Sequence, residues 1–248
     1  MVHNTVSVKN QIKNHLNHFH YLPLHPQHVS QVYPPLLLAT PLIAASNSDS
    51  VLTSPVERRQ YISANDLDTG NCKDTMFIFA RGSTEVGNTG TVVGPEVCTD
   101  LKTQLGGAVG CQGIGGAYTA GLAENFLPDN TAPQDVQAAV DVFNKCNTKC
   151  PNAKIVAGGY SQGSAVIDNA IQKLDSDVRD KVKGVVLFGF TRNLQDGGRI
   201  PNYPKDQTKV FCAIGDMVCD GTLIITAAHL TYGANANEAA TFLASKVK

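Results

Sequence analysis

Short apolar runs alternate with segments of helical periodicity from residue 72 onward, and this alternation constrains the fold more than any other feature. The runs over 76–80, 109–114, 154–158, 185–188 and 210–214 are predicted strands. Helices are predicted in the first three gaps between these strands, with apolar side chains three or four residues apart, and a last one over 238–246. Apolar strands separated by helices form a mainly parallel sheet that is covered on both faces. The sequence therefore predicts a three-layer α/β/α sandwich.

The seven cysteines indicate the compartment in which the chain folds. Their spacing lacks the paired Cys and His pattern of a zinc site, so a disulfide framework is the better interpretation. Disulfides persist in oxidising compartments, which favours secretion; reduced core cysteines in a cytosolic protein are the alternative. The odd number leaves at least one thiol unpaired.

The charge balance argues against nucleic-acid binding. Lys and Arg number 20 against 21 Asp and Glu, and no basic run exceeds the pair Arg58-Arg59. A nucleic-acid partner would require a clustered positive surface. We therefore expect no nucleic acid among the partners.

The first 59 residues differ in character from the rest of the chain. Residues 1–33 are rich in His and Lys, and 36–46 form a short apolar stretch that ends in small residues, as in a secretory signal. Pro41 and its shortness exclude a transmembrane helix. Trimming at Arg58-Arg59 would start the mature chain near Gln60. We expect a leader with signal and pro-segment over 1–59 and one catalytic domain over 60–248.

The run Gly159-Tyr160-Ser161-Gln162-Gly163 matches the pattern G-x-S-x-G. This pattern builds a sharp strand-to-helix turn that exposes a nucleophilic serine. A predicted strand precedes it and a predicted helix follows, as that turn requires. A glycine-rich phosphate-binding loop is the alternative that the pattern alone leaves open.

A serine nucleophile requires a base and a carboxylate that orients the base. In this fold class they follow the serine in the order acid, then histidine. His229 is the only histidine after Ser161, so it is the candidate base. Asp216 follows the predicted strand 210–214 and is the best candidate acid, with Asp206 and Asp220 as rivals. Asp216 could instead only cap a turn.

An oxyanion hole needs two hydrogen-bond donors. The backbone N–H of Gln162, directly after the serine, is one candidate. Ser83 lies in the loop after the predicted strand 76–80 and can supply an N–H and a hydroxyl as the second.

Together these stretches resemble the cutinase family of serine esterases, over about residues 70–247. The resemblance rests on four motifs with preserved spacing: Ala80-Arg81-Gly82-Ser83-Thr84-Glu85, Gly158-Gly159-Tyr160-Ser161-Gln162-Gly163, Arg199-Ile200-Pro201-Asn202-Tyr203-Pro204 and Gly215-Asp216-Met217-Val218-Cys219. It implies a lidless α/β-hydrolase-like fold, the triad Ser161, Asp216 and His229, and no metal or cofactor. It also implies that Asn125 holds Ser83 in place. Ala228 departs from the family, whose members often carry Pro there.

The resemblance also implies which cysteines pair. It implies Cys72–Cys150 and Cys212–Cys219, and an additional bridge of some members, Cys98–Cys111. Cys146 then remains unpaired, as a small buried side chain.

The implied substrate is the polyester cutin, together with short- to medium-chain esters, hydrolysed through an acyl-enzyme by a secreted monomer. Leu122, Leu223 and Ile225 would line an open crevice, and Asn125 and Tyr160 would lie beside the substrate. Two alternatives remain. The chain could be a related acetylxylan-type carbohydrate esterase, or a catalytically inert wall or host-interaction protein.

Overall fold

The computed structural model describes residues 62–248, so the leader 1–59 and the expected start near Gln60 lie outside the described residues. Within them, strands and helices alternate as the apolar pattern predicts. The strands are β1 (Thr75–Ala80), β2 (Val109–Gly113), β3 (Lys154–Tyr160), β4 (Val182–Phe188) and β5 (Thr208–Phe211). The helices are α1 (Gly94–Gln104), α2 (Pro133–Lys149), α3 (Gln162–Lys173), α4 (Ser176–Arg179), α5 (Asn193–Asp196) and α6 (Ala236–Val247). Short 3₁₀ turns occupy Ala123–Phe126, Lys205–Gln207, Ala227–Leu230 and Tyr232–Asn235.

The five strands form one sheet in the order β2-β1-β3-β4-β5, and every pairing between them is parallel. The predicted strand over 210–214 was placed too late, because β5 pairs only from Thr208 to Phe211. Ile214 lies in the loop beyond, fully exposed. The last helix likewise begins at Ala236 rather than at 238.

Side chains of each strand alternate between two apolar cores, one on each face of the sheet. In β1, Phe77 and Phe79 join the core that includes Leu101 and Leu243, so this face is covered by α1 and α6. The intervening residues of β1 join the opposite core, which packs against α2 and α3. The predicted three-layer α/β/α sandwich is confirmed.

All seven cysteines lie in the described part of the chain, and six of them are paired. The bridges are Cys72–Cys150, Cys98–Cys111 and Cys212–Cys219, the same pairs that the family resemblance implies. Cys146 is unpaired and fully buried in α2, and burial raises the pKa of its thiol to about 11. Among residues 62–248, no helix combines the length and hydropathy needed to cross a bilayer.

Candidate active site

Ser161 sits on a sharp turn between β3 and α3. Its backbone has φ 53° and ψ −123°, a conformation that is costly for a residue with a side chain. Close packing enforces the turn, because a Cβ added to Gly163 would lie 2.1 Å from the carbonyl oxygen of Ala80. The first turn of α3 is also tied down, since the Ser164 hydroxyl donates to the carbonyl of Ser161. The geometry is that of a nucleophile elbow.

A line of hydrogen bonds runs from Ser161 through His229 to Asp216. Ser161 Oγ lies 2.9 Å from His229 Nε2, and His229 Nδ1 lies 2.8 Å from Asp216 Oδ2. Asp216 and His229 are each 2% exposed, so both are shielded from competing water. The Tyr160 hydroxyl donates to the backbone carbonyl of His229 at 2.9 Å, which fixes the turn that carries the imidazole. This arrangement can move a proton from the serine to the histidine.

The loop after β5 holds the Asp216 carboxylate. Its Oδ1 accepts the N–H of Val218 at 3.1 Å, and its Oδ2 accepts the hydroxyl of Tyr232. The Cys212–Cys219 bridge closes the loop around it. The rival carboxylates lie elsewhere: Asp206 is largely exposed near Lys246, and Asp220 is exposed.

Two potential donors face the space in front of Ser161. Gln162 is the first residue of α3, where a backbone N–H has no partner within the helix. On the other side, Ser83 lines the cleft, and Asn125 Nδ2 donates to its Oγ at 2.8 Å. Because Asn125 donates to that oxygen, the hydroxyl proton of Ser83 remains available for another acceptor.

Glu85 organises the loop that carries Ser83. Its Oε2 accepts the N–H of Gly82 at 2.7 Å, and its Oε1 accepts the N–H groups of Thr91 and Val92 at 2.7 and 2.9 Å. Three backbone donors on one carboxylate tie the Ser83 turn to the chain just before α1. These contacts fix the loop that carries Ser83, the candidate oxyanion residue.

Ser161 opens into an apolar cleft of about 350 Å³. The predicted contact residues Leu122, Asn125, Tyr160, Leu223 and Ile225 all line it. Phe126, Val218 and Leu230 line it as well. Leu122 is 61% exposed and Ile225 56%, so the walls face solvent directly. Such a surface can receive an apolar chain without the opening of a cover.

Sequence reasoning missed three residues that hold the site: Ser164, Glu85 and Tyr232. The only sequence signal for Glu85 is its acidic side chain in the Ser83 loop, which does not by itself predict that it holds the loop. Tyr232 lies three residues after His229, and nothing in that spacing indicates a contact with Asp216.

Within residues 62–248, no group of three or more His, Cys, Asp or Glu side chains is arranged to hold a metal ion.

Comparison with known proteins agrees with the geometry. The cutinase family model matches residues 71–247. The chain is 65% identical over 213 residues to cutinase 3 of Emericella nidulans, covering 86% of this chain and 93% of that protein. It is 64% identical over 211 residues to probable cutinase 3 of Neosartorya fischeri, covering 84% of this chain and 97% of that one.

A solved structure supports the same relationship. Trichoderma reesei cutinase, in complex with a C11Y4 phosphonate inhibitor, superimposes with a TM-score of 0.66 at 36% identity. The match covers 75% of this chain and 80% of the other. Family model, sequence relatives and fold agree, and the chain belongs to the cutinase family of serine carboxylic ester hydrolases.

Proposed function

We propose that this protein hydrolyses the ester bonds of cutin, and of short- to medium-chain esters, with Ser161 as nucleophile, His229 as base and Asp216 as the carboxylate that orients it. The observation that carries the proposal is the Ser161–His229–Asp216 hydrogen-bond line, which opens directly into the exposed apolar cleft. The cutinase relatives support the substrate class.

In the acylation step, His229 Nε2 takes the proton of Ser161 Oγ while that oxygen attacks the ester carbonyl carbon. The carbonyl π electrons move to the oxygen and form a tetrahedral oxyanion. When the intermediate collapses, the C–O bond to the alcohol breaks, and His229 gives its proton to the leaving alkoxide. The Asp216 carboxylate stabilises the imidazolium through its hydrogen bond with Nδ1. The products of this step are a free alcohol and an acyl-Ser161 ester.

In the deacylation step, water repeats the sequence. His229 takes a proton from the water as its oxygen attacks the acyl carbon, and then returns a proton to Ser161 Oγ as the acid leaves. The negative oxygen of both intermediates lies between Ser83 and the N–H of Gln162. Removing one such donor typically costs about 10²–10³ in kcat.

The cleft favours an acyl chain over an acetyl group on sugar. Leu122, Phe126 and Ile225 present apolar surface for several methylene groups, whereas a xylan chain would need polar partners along the rim. The exposed walls also permit contact with a bulky polymer surface. For this reason we place the acetylxylan-type activity second.

We further propose that the enzyme is secreted as a monomer, after loss of the leader 1–59. Three disulfides support an oxidising destination. Mass spectrometry of the secreted protein tests the processing: a mature chain that starts near Gln60 is expected, and an intact Met1 would contradict it.

The test of the activity is a chain-length series of p-nitrophenyl esters, from acetyl to longer acyl groups, together with monomer release from cutin. Ser161→Ala should abolish turnover of all of them. Ser176→Ala, an exposed serine on α4, is the matched control and should keep wild-type rates. A strong preference for acetyl would favour the carbohydrate esterase. Esterase activity that survives in Ser161→Ala would refute the mechanism, and an inactive wild type would favour the inert wall protein.

A further inference from the structure

Tyr232 makes a contact with the catalytic carboxylate that the mechanism above does not use. Its side chain is fully buried, and its hydroxyl donates to Asp216 Oδ2. The same hydroxyl accepts the backbone N–H of Ala213 at 3.0 Å. The phenol oxygen is therefore held from both sides, by the loop that follows β5 and by the carboxylate itself.

Tyr232 donates to the same Asp216 oxygen that accepts the hydrogen bond from His229. Asp216 Oδ2 also accepts from His229 Nδ1 at 2.8 Å, while Oδ1 accepts from Val218. The phenol and the imidazole thus share one oxygen. A hydrogen bond to an ionised acceptor is stronger than one between neutral groups, so it restricts the rotation of the carboxylate.

The rings reinforce this arrangement. Tyr232 meets the His229 ring edge-on, with centroids 6.1 Å apart and planes at 88°. The Tyr160 ring contacts both of them, with its centroid 5.1 Å from that of His229 and 6.0 Å from that of Tyr232. Burial, together with the hydrogen bond to Asp216, raises the pKa of Tyr232 above its ordinary range. The phenol therefore remains a hydrogen-bond donor at neutral pH.

We propose that Tyr232 is a positioning residue for catalysis, which orients Asp216 and moderates the negative charge that Asp216 presents to His229. The proposal rests on the proposed function, since it assigns Tyr232 a role through the acid of that triad. Loss of the phenol hydroxyl would have two consequences. The carboxylate would orient the imidazole less well, and its Oδ2 would be more strongly negative.

The second consequence predicts a pH effect. The titratable groups around the imidazole are Asp216 and the phenols of Tyr160 and Tyr232, with Glu85 beyond Tyr160. Without the Tyr232 hydroxyl, the more negative Asp216 binds the imidazolium more tightly, so a proton competes for His229 at higher pH. Since only neutral imidazole can act as base, the acid limb of the activity profile must move upward.

The experiment compares Tyr232→Phe with Tyr203→Phe. Tyr203 is also a buried tyrosine with one strong hydrogen bond, from its hydroxyl to the carbonyl of Val182 at 2.7 Å, but it lies away from the cleft. Tyr203→Phe loses one buried hydrogen bond, whereas Tyr232→Phe loses two, one to Asp216 and one from Ala213. The control therefore measures the stability cost of removing a buried phenol hydroxyl away from the site, and the pH profile separates catalysis from stability. Melting temperatures confirm that both variants fold.

On p-nitrophenyl butyrate, Tyr232→Phe should lower kcat about tenfold and leave KM within about twofold, because it removes one charge-assisted hydrogen bond from the triad. The acid limb of kcat/KM should move to higher pH by several tenths of a unit. Tyr203→Phe should leave both unchanged. A wild-type kcat in Tyr232→Phe, or a lower kcat with an unmoved acid limb, would overturn the inference. An active Ser161→Ala would instead refute the proposed function, so the two failures are distinguishable.

Discussion

Asp168 shows how burial acts on a charged side chain in this fold, and it leads to a prediction about the pH dependence of stability. It lies on α3 with a side chain that is 0% exposed. Its Oδ2 accepts from Gln172 Nε2 at 3.1 Å and lies 3.4 Å from Arg192 Nε, while its Oδ1 is buried without a hydrogen-bond partner. A carboxylate in this place has a cation beside it and almost no solvation.

Burial outweighs the cation. Burial and the nearby charge of Asp196 raise the pKa of Asp168 from 3.8 to about 8, against the opposing effect of Arg192. The reason is that Arg192 is shared: its Nε lies 2.8 Å from Asp196 Oδ2, closer than to Asp168. The folded protein therefore holds Asp168 protonated at pH 7, whereas the unfolded chain ionises it.

The sign and size of the effect follow from this difference. A raised pKa in the folded state contributes stability that is complete below pH 3.8 and is lost as the pH rises to about 8. Asp168→Asn keeps the shape of the neutral acid and cannot ionise, so it escapes that loss. Each pH unit in the window is worth about 1.4 kcal/mol. Between pH 5 and pH 8, the difference in the free energy of unfolding between variant and wild type should therefore change by up to about 4 kcal/mol in favour of the variant.

Urea denaturation of both proteins at pH 5, 6.5 and 8, with the disulfides intact, measures this gain. Asp177→Asn, an exposed aspartate on α4, is the control and should give a pH dependence parallel to wild type. If the difference between Asp168→Asn and wild type stayed constant from pH 5 to pH 8, or moved against the variant, Asp168 would be ionised in the fold. The reasoning that burial outweighs Arg192 would then be refuted.

Three further substitutions have defined outcomes. Asn125→Ala removes the 2.8 Å hydrogen bond to Ser83 and should lower kcat at least tenfold with little change in KM, measured on p-nitrophenyl butyrate. Gly189→Ala would place a Cβ 2.6 Å from His229 Cε1 at a backbone φ of 53°, so labelling of the nucleophile by a phosphonate should slow by at least 10²-fold. Cys146→Ser buries a hydroxyl in an apolar core and should cost about 1–3 kcal/mol in chemical denaturation, with kcat unchanged.

The sheet could be predicted from the sequence because its signal is local. A run such as 76–80 is apolar on both faces, and only a covered strand accommodates that pattern. The end of β5 could not be predicted in the same way. Apolar residues continue to Ile214, but backbone pairing with β4 ends at Phe211, and the chain then turns toward the Cys212–Cys219 bridge. The pattern of apolar residues along the chain does not show where backbone pairing between two strands ends.

In the candidate site too, some residues could be predicted from the sequence and others could not. Ser161 and His229 could be predicted from the order along the chain and from the absence of any other histidine after the serine. Tyr232 could not be predicted, and neither could the role of the buried Asp168 outside the site, because both depend on which groups the fold places against them. In the sequence, each is one polar residue among neighbours in a helical segment, and only packing decides that one meets Asp216 and the other a shared arginine.

The strand order explains why these separate segments meet at one point. Parallel strands end at the same edge of a sheet, and β3, which delivers Ser161, lies between β1 and β4. The loop after β1 therefore brings Ser83 to one side of the nucleophile. The loops after β4 and β5 bring Gly189 and Asp216 to the other, where the histidine turn packs on Gly189. Ser83 and His229 therefore approach Ser161 from opposite sides, where the proposed mechanism needs an oxyanion donor and a base. A substitution in the loop after β1 should therefore alter oxyanion stabilisation and leave proton transfer intact. A substitution in the loops after β4 and β5 should do the reverse.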